Sequence, residues 1–150
     1  MEGKIIAKNS KAFRDFSILE TLECGIELKG SEVKSIREGN VNLKDSFGRI
    51  EGEEVFLYNT HITPYEKGSF FNVEPRRVRR LLLHKAEIRQ LSGKINQRGL
   101  TLVPLKIYFK KGRAKIELAL VKGKRVFDKR QAIKKRELDL ELKRALRQRR

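Results

Sequence analysis

The 150-residue chain carries 36 Lys or Arg against 19 Asp or Glu, a formal net charge of +17. Self-repulsion on this scale favours a polyanionic partner, and nucleic acid is the usual one because its released counterions drive association. No membrane-length apolar run, lipidation signal or export signal is visible, and the single cysteine suits a reducing compartment. The sequence predicts a cytoplasmic nucleic-acid-binding protein without membrane association.

The N-terminal part of the chain predicts strands followed by a short helix. Residues 16–22 and 26–28 predict a hairpin with Glu23-Cys24-Gly25 as its turn, although the alternation breaks at Leu19. Ser31 is the expected N-cap of the helix, and Gly39 is expected to end it in a left-handed conformation.

The rest of the first 121 residues predicts a second hairpin, a surface loop, one helix and a long final hairpin. These elements cover residues 47–58, 66–76, 88–95 and 102–121. In the final hairpin, apolar residues alternate with Lys and Tyr, which is typical of a strand buried on one face. We therefore expect a mainly β, α+β fold: a small barrel with two or three flanking helices.

The pattern changes after Val121. Residues 122–150 hold 13 basic and 4 acidic side chains, a local excess of +9. Leu138, Leu142 and Leu146 form a stripe too narrow to hold a helix together in water. The chain is thus predicted to divide into a body (residues 1–121) and a basic tail (residues 122–150) that is disordered when free and helical only against a partner.

Binding is a better interpretation than catalysis. There is no phosphate-binding loop, no cysteine pair and no expected cofactor or metal, and the two histidines, His61 and His84, are expected to be ordinary hydrogen-bonded side chains. Arginine matches phosphate oxygens well. The candidate phosphate contacts are Arg76, Arg77, Arg79 and Arg80, with a solvated loop as the alternative. Phe13, Phe70, Phe71 and Tyr108 are candidate stacking residues if exposed, with core filling favoured for Phe13.

Six stretches in order along the chain resemble the SsrA-binding protein family, also called small protein B. They are Asn9-x-Lys11-Ala12, Gly30–Arg37, Asn42-Leu43-x-Asp45, His61–Tyr65, Pro75-x-Arg77-x-Arg79–Leu83 and Gly123-Lys124-Arg125-x-x-Asp128-Lys129-Arg130. The resemblance implies an oligonucleotide-binding-type barrel with flanking helices. It also implies a monomer that binds the transfer-RNA-like domain of transfer-messenger RNA and reaches stalled ribosomes together with elongation factor Tu. The tail would then enter the empty messenger channel beside the small-subunit ribosomal RNA of the decoding region.

The resemblance also implies functional positions. Glu23, Leu82 and Lys115 match body residues that the family uses to bind the RNA, and Leu82 is expected to shape the surface from beneath. Further RNA-binding candidates lie in the matched motifs, namely Lys11, Lys34 and Arg37. The ribosome-binding candidates of the tail are Lys124, Arg125, Asp128, Lys129, Arg130, Lys134, Lys135 and Arg136. Phe127 stands where some relatives have a histidine, and its ring can stack but cannot donate a hydrogen bond.

Two other functions remain as alternatives. A structural ribosomal protein with a basic barrel and a tail threading ribosomal RNA would have the same composition. A small nuclease would need acidic residues, and the candidates are Glu32, Asp45 and Glu53.

Overall fold

The computed structural model describes residues 4–65, 73–98 and 100–123, with side chains left out at 97–98. The predicted helix of the tail, all eight ribosome-binding candidates and the phenylalanines of the surface loop (Phe70 and Phe71) lie outside these ranges. Within them, no helix is long and apolar enough to cross a membrane.

The described elements are nine strands and three helices. The strands are β1 (Ile5–Lys8), β2 (Phe16–Ile26), β3 (Val41–Asn42), β4 (Phe47–Glu51), β5 (Glu54–Tyr58), β6 (His61–Ile62), β7 (Arg79–Leu82), β8 (Thr101–Lys110) and β9 (Arg113–Gly123). The helices are α1 (Ser10–Asp15), α2 (Gly30–Arg37) and α3 (Lys85–Arg98).

The main sheet closes on itself. Its strand order is β1-β8-β4-β5-β7-β2-β9, and β9 also pairs with β8, so the strands from β8 to β9 form a closed antiparallel ring. Closure leaves few unpaired edges, which is how small barrels avoid edge-to-edge aggregation. The short strands β3 and β6 form a separate ladder. The predicted small barrel with flanking helices is confirmed.

The final hairpin behaves as its alternation predicts. Ile107, Ile116 and Leu118 are fully buried in the barrel core, and the turn between the strands is Lys111-Gly112. Burying each such aliphatic side chain contributes about 1.5–3 kcal/mol. Strand β9 continues to Gly123, which pairs with Phe16, so the sheet extends two residues past Val121.

The predicted turn at Glu23-Cys24-Gly25 is wrong, because β2 runs through it without interruption. The break in alternation at Leu19 has a different cause. The β2–β9 register shifts between Ile18 and Glu20, so Leu19 is the extra residue of a β-bulge.

Side-chain and backbone caps define where the helices α1 and α2 begin and end. Helix α1, which the sequence did not predict, begins after Asn9, whose side chain accepts from the Ala12 amide at 3.2 Å. The N-cap of α2 is Lys29 and not the predicted Ser31, and Glu32 accepts from the Lys29 amide at 2.8 Å. The helix ends at Arg37, and Gly39, two residues further on, has φ 81°, the left-handed conformation predicted for it.

The apolar face predicted for the third helix is also confirmed. Ile88 and Leu91 of α3 are buried in the main core, and Ile95 packs against it.

A buried ion-pair network joins α2 to β7. Glu32 has a side chain only 2% exposed and accepts from Arg79 Nε and Arg77 Nη2, each at 2.6 Å. Arg79 also donates to the carbonyls of Thr60 at 2.8 Å and Pro75 at 2.9 Å. We call Glu32, Arg77 and Arg79 the Glu32 network. Burial would raise the pKa of Glu32, but the donors from Arg77, Lys29 and Arg79 together lower it, so the carboxylate stays charged.

Replacing Arg79 with Met is expected to lower the free energy of unfolding by about 3–5 kcal/mol, because Glu32 would keep a buried charge with too little compensation. Chemical denaturation measures the loss. Arg76→Met removes an exposed arginine three residues away and should cost less than about 0.5 kcal/mol. The double variant Glu32→Gln/Arg79→Met should recover part of the loss. If Arg79→Met and Arg76→Met had equal free energies of unfolding, the structural role of the Glu32 network would be contradicted.

Candidate nucleic-acid interface

Three neighbouring strands bring a leucine, a glycine and a lysine into one row on the outside of the barrel. Gly25 of β2 lies opposite Leu82 of β7 on one side and Lys115 of β9 on the other. Lys115 also lies opposite Tyr108 of β8. Because neighbours in register on adjacent strands share a face, the row is Tyr108, Lys115, Gly25 and Leu82. Glu23 is on the same face two residues before Gly25, and we call this surface the Glu23 face.

Gly25 allows Leu82 to approach the strand backbone. A Cβ atom built on Gly25 would lie 3.3 Å from Leu82 Cβ and 3.3 Å from its Cδ1, which is tighter than an ordinary contact. Leu82 itself is 48% exposed. The expectation that Leu82 shapes the surface from beneath is therefore wrong, since the side chain lies on the surface and is open to a ligand.

The Glu23 carboxylate is held by two donors from β8. Tyr108 Oη donates to Glu23 Oε2 at 2.5 Å, and Lys110 Nζ lies 3.3 and 3.4 Å from the two carboxylate oxygens. The Tyr108 side chain is only 1% exposed, whereas that of Glu23 is 35% exposed. A rigid donor below the surface thus fixes an acceptor that faces solvent.

These contacts keep Glu23 ionised. The hydrogen bond from Tyr108 lowers its pKa most, desolvation opposes this, and Lys110 and Lys115 lower it further. The site therefore presents a fixed negative charge beside two cations, and it does so at any pH near neutrality.

The predicted arginine cluster divides into surface and interior residues. Arg79 is fully buried within the Glu32 network, so the prediction that it faces phosphate is wrong. Arg77 is half-buried and paired with Glu32. Arg80 is exposed but paired with Glu27 at 2.8 Å and with Glu54 at 3.2 Å. Arg76 is also exposed. Arg76 and Arg80 are therefore the two members of the cluster that a phosphate backbone could reach.

The other candidate cations lie on the surface next to other side chains. Lys11 pairs with Asp45 at 2.6 Å, Lys34 Nζ lies 5.6 Å from the centroid of the Tyr65 ring, and the Arg37 guanidinium lies 5.5 Å from that of the Phe109 ring. None of the three shares a strand with the Glu23 face. The structure thus unites Glu23, Leu82 and Lys115 but places Lys11, Lys34 and Arg37 on α1 and α2.

Two aromatic predictions change. Phe13 does not fill the core: it is 37% exposed, with Lys8 Nζ 4.9 Å from its ring centroid, because α1 buries Ala12 instead. Tyr108 cannot be a stacking platform, since its ring is enclosed. Sequence reasoning missed that Tyr108 and Lys110 support Glu23, although their alternation with Ile107 and Phe109 placed both on the outer face.

The residues proposed for a nuclease do not form a metal site. Both oxygens of Glu32 accept from arginines, Asp45 pairs with Lys11, and Glu53 lies in the exposed β4–β5 turn. Across the described ranges, no group of three or more His, Cys, Asp or Glu residues is placed to hold a metal ion. Burial raises the pKa of the Cys24 thiol to about 12, so it stays protonated near neutral pH.

Comparison with known proteins identifies the family. The family model described as SmpB protein matches residues 6–148. The chain belongs to the SmpB protein family. Proteins named SsrA-binding protein are 61% identical in Caldicellulosiruptor saccharolyticus, 60% in Carboxydothermus hydrogenoformans and 53% in Enterococcus faecalis. Each match covers 97% of this chain, and the covered shares of the three relatives are 92%, 98% and 94%.

A solved SmpB structure has the same fold. The chain described as "tmRNA-SmpB: a journey to the center of the bacterial ribosome" is 57% identical, with a TM-score of 0.67, over 79% of this chain and 83% of the solved one. The resemblance predicted from the six motifs is thereby confirmed.

Tyr108→Phe is expected to raise the pKa of Glu23 toward its ordinary value, because the variant removes the hydrogen bond that lowers it most. A 13C NMR titration of the side-chain carboxyl measures this directly. Tyr58→Phe is the matched control, since Tyr58 Oη donates to Glu51 at 2.5 Å, and it should leave Glu23 unchanged. An unaltered Glu23 titration in Tyr108→Phe would mean that the hydrogen bond does not persist in solution.

Proposed function

We propose that this protein binds transfer-messenger RNA and brings it to stalled ribosomes for trans-translation. The observation that carries the proposal is the near full-length match to relatives named SsrA-binding protein. The similar solved chain, whose description names tmRNA, SmpB and the bacterial ribosome, supports it. The net charge of +17 fits two RNA partners.

In this proposal the body binds the transfer-RNA-like domain through the Glu23 face. Lys115 contacts a phosphate, Leu82 offers an apolar surface, and Glu23 accepts from donors on the RNA. Arg76 and Arg80 are open to further phosphates, and Lys11, Lys34 and Arg37 extend the basic surface on the two N-terminal helices. Folded RNA is commonly held by such backbone and shape contacts.

The tail is proposed to act on the ribosome. Its excess charge of +9 suits an empty messenger channel lined by small-subunit ribosomal RNA, where the cations from Lys124 to Arg136 would meet phosphates. The protein would act as a cytoplasmic monomer without catalytic activity, and would be delivered with elongation factor Tu through the shared RNA.

Lys115→Ala should weaken binding to the transfer-RNA-like domain and lower the slope of log affinity against log salt by about 0.7–0.9, the contribution of one phosphate contact. Fluorescence titrations at several salt concentrations measure both quantities. Arg89→Ala removes an exposed cation on α3, which is not one of the strands that form the Glu23 face, and should leave the slope unchanged. An unchanged slope in Lys115→Ala would show that this lysine does not touch the backbone.

Truncation after Gly123 should separate RNA binding from ribosome function, because the truncated chain retains every described pairing of β9. The full and truncated chains should both capture transfer-messenger RNA from a bacterial lysate, whereas only the full chain should support tagging of stalled products. Lys129→Ala/Arg130→Ala keeps the chain length and should behave like the truncation.

Equal loss of capture and tagging would contradict this division of labour. Capture of all ribosomal RNA at high salt, in place of transfer-messenger RNA, would favour a structural ribosomal protein.

A further inference from the structure

A second, smaller cluster of buried apolar residues lies beside the main core, between α1 and the final hairpin. Its members are Ala12, Val103, Leu105, Ala119 and Val121. Because alternate residues of a strand share a face, Gly123 continues the row of Ala119 and Val121 along β9. Gly123 has no side chain, so it adds no apolar cover to this end of the cluster.

A cavity of about 300 Å³ lies against the same cluster. Ala12 and Val103 form part of its wall, together with Phe16, Phe47 and Thr101. Phe16 packs against the cluster but is only half-buried. An apolar cavity of about 150 Å³ is large enough to bind benzene. The cavity beside α1 therefore has room for a phenyl ring.

The charged residues of the cavity wall decide which kind of occupant it attracts. They are two carboxylates, Asp15 and Asp45, and one cation, Lys11, which pairs with Asp45 at 2.6 Å. Carboxylates repel the phosphates of RNA and attract cations. The wall thus favours an apolar side chain that is carried by a basic segment.

The sequence after β9 contains such a segment. Gly123 lies directly opposite Phe16, so the strand ends next to the cavity wall. Two cations, Lys124 and Arg125, come next, and Phe127 is the only aromatic residue of the sequence beyond Gly123. Four residues span up to about 14 Å. Glycine at the starting point permits the chain to turn back toward the cavity.

We propose that Phe127 occupies this cavity in the free protein and anchors the start of the basic tail to the body. Its ring packs against Phe16 and Val103, and the carboxylates of the wall attract the two cations that precede it. The anchor fixes the place from which residues 128–150 leave the body, and it leaves those residues available for a partner. This contact needs no RNA, so it is independent of the proposed function.

Methyl NMR of the full-length protein, without RNA, tests the anchor. An aromatic ring shifts the resonances of methyl groups that lie against it, and Val103 lines the cavity. Phe127→Leu keeps an apolar side chain but removes the ring. We expect this variant to shift the Val103 methyl resonances and to lose a cross-peak between them and an aromatic proton. Val55, fully buried in the main core, is the internal reference and should not move.

Two further measurements identify the occupant. Leu142→Ala removes the middle residue of the leucine stripe and should leave the Val103 resonances unchanged, as should tenfold dilution of the wild-type protein. Unchanged Val103 resonances in Phe127→Leu would overturn the proposal. A shift in Leu142→Ala alone would overturn it in favour of the leucine stripe, and a shift on dilution would overturn it in favour of a second copy of the chain.

Discussion

Strand β9 pairs with β2 on one side and with β8 on the other, and this double pairing sets the direction of the side chains on which the Glu23 face depends. Period-two alternation sends Ile116 and Leu118 into the core and Lys115 outward. A slip of one residue in either register would bury the lysine and expose the core. Packing of the barrel therefore fixes which side chains make up the Glu23 face, so a change that alters the register would alter both the stability of the barrel and the composition of that face.

The Glu32 network has a different role on the neighbouring side of the barrel. A carboxylate and a guanidinium that are both buried gain little net stability together, but either one alone is costly. Arg79 also donates to the backbone carbonyls of Thr60 and Pro75, which are 15 residues apart in the sequence. The network therefore fixes how α2, β7 and the backbone at Thr60 and Pro75 fit together, whereas Arg76 and Arg80 remain exposed.

The sequence correctly predicted those elements in which buried apolar residues recur at a regular spacing along the chain. The final hairpin and the apolar face of α3 are such cases, since each repeats one spacing over several residues. The turn predicted at Glu23-Cys24-Gly25 failed because those residue types are common in turns, whereas here Gly25 makes room for Leu82, far away in sequence. Burial of Arg79 could not be predicted either, because its partner Glu32 lies 47 positions earlier and no local spacing connects them.

The pairing of Gly123 with Phe16 gives the molecule a mechanical property. From Glu117, which faces Glu23, to Gly123 the strand runs six residues, or about 20 Å at the usual rise. That stretch is hydrogen-bonded to β2 along its length, so it forms a stiff connection between the Glu23 face and the point where the basic sequence after Gly123 begins. A force applied beyond Gly123 would load these hydrogen bonds from the Gly123 end, so the pairing of Phe16 with Gly123 would open before that of Glu23 with Glu117.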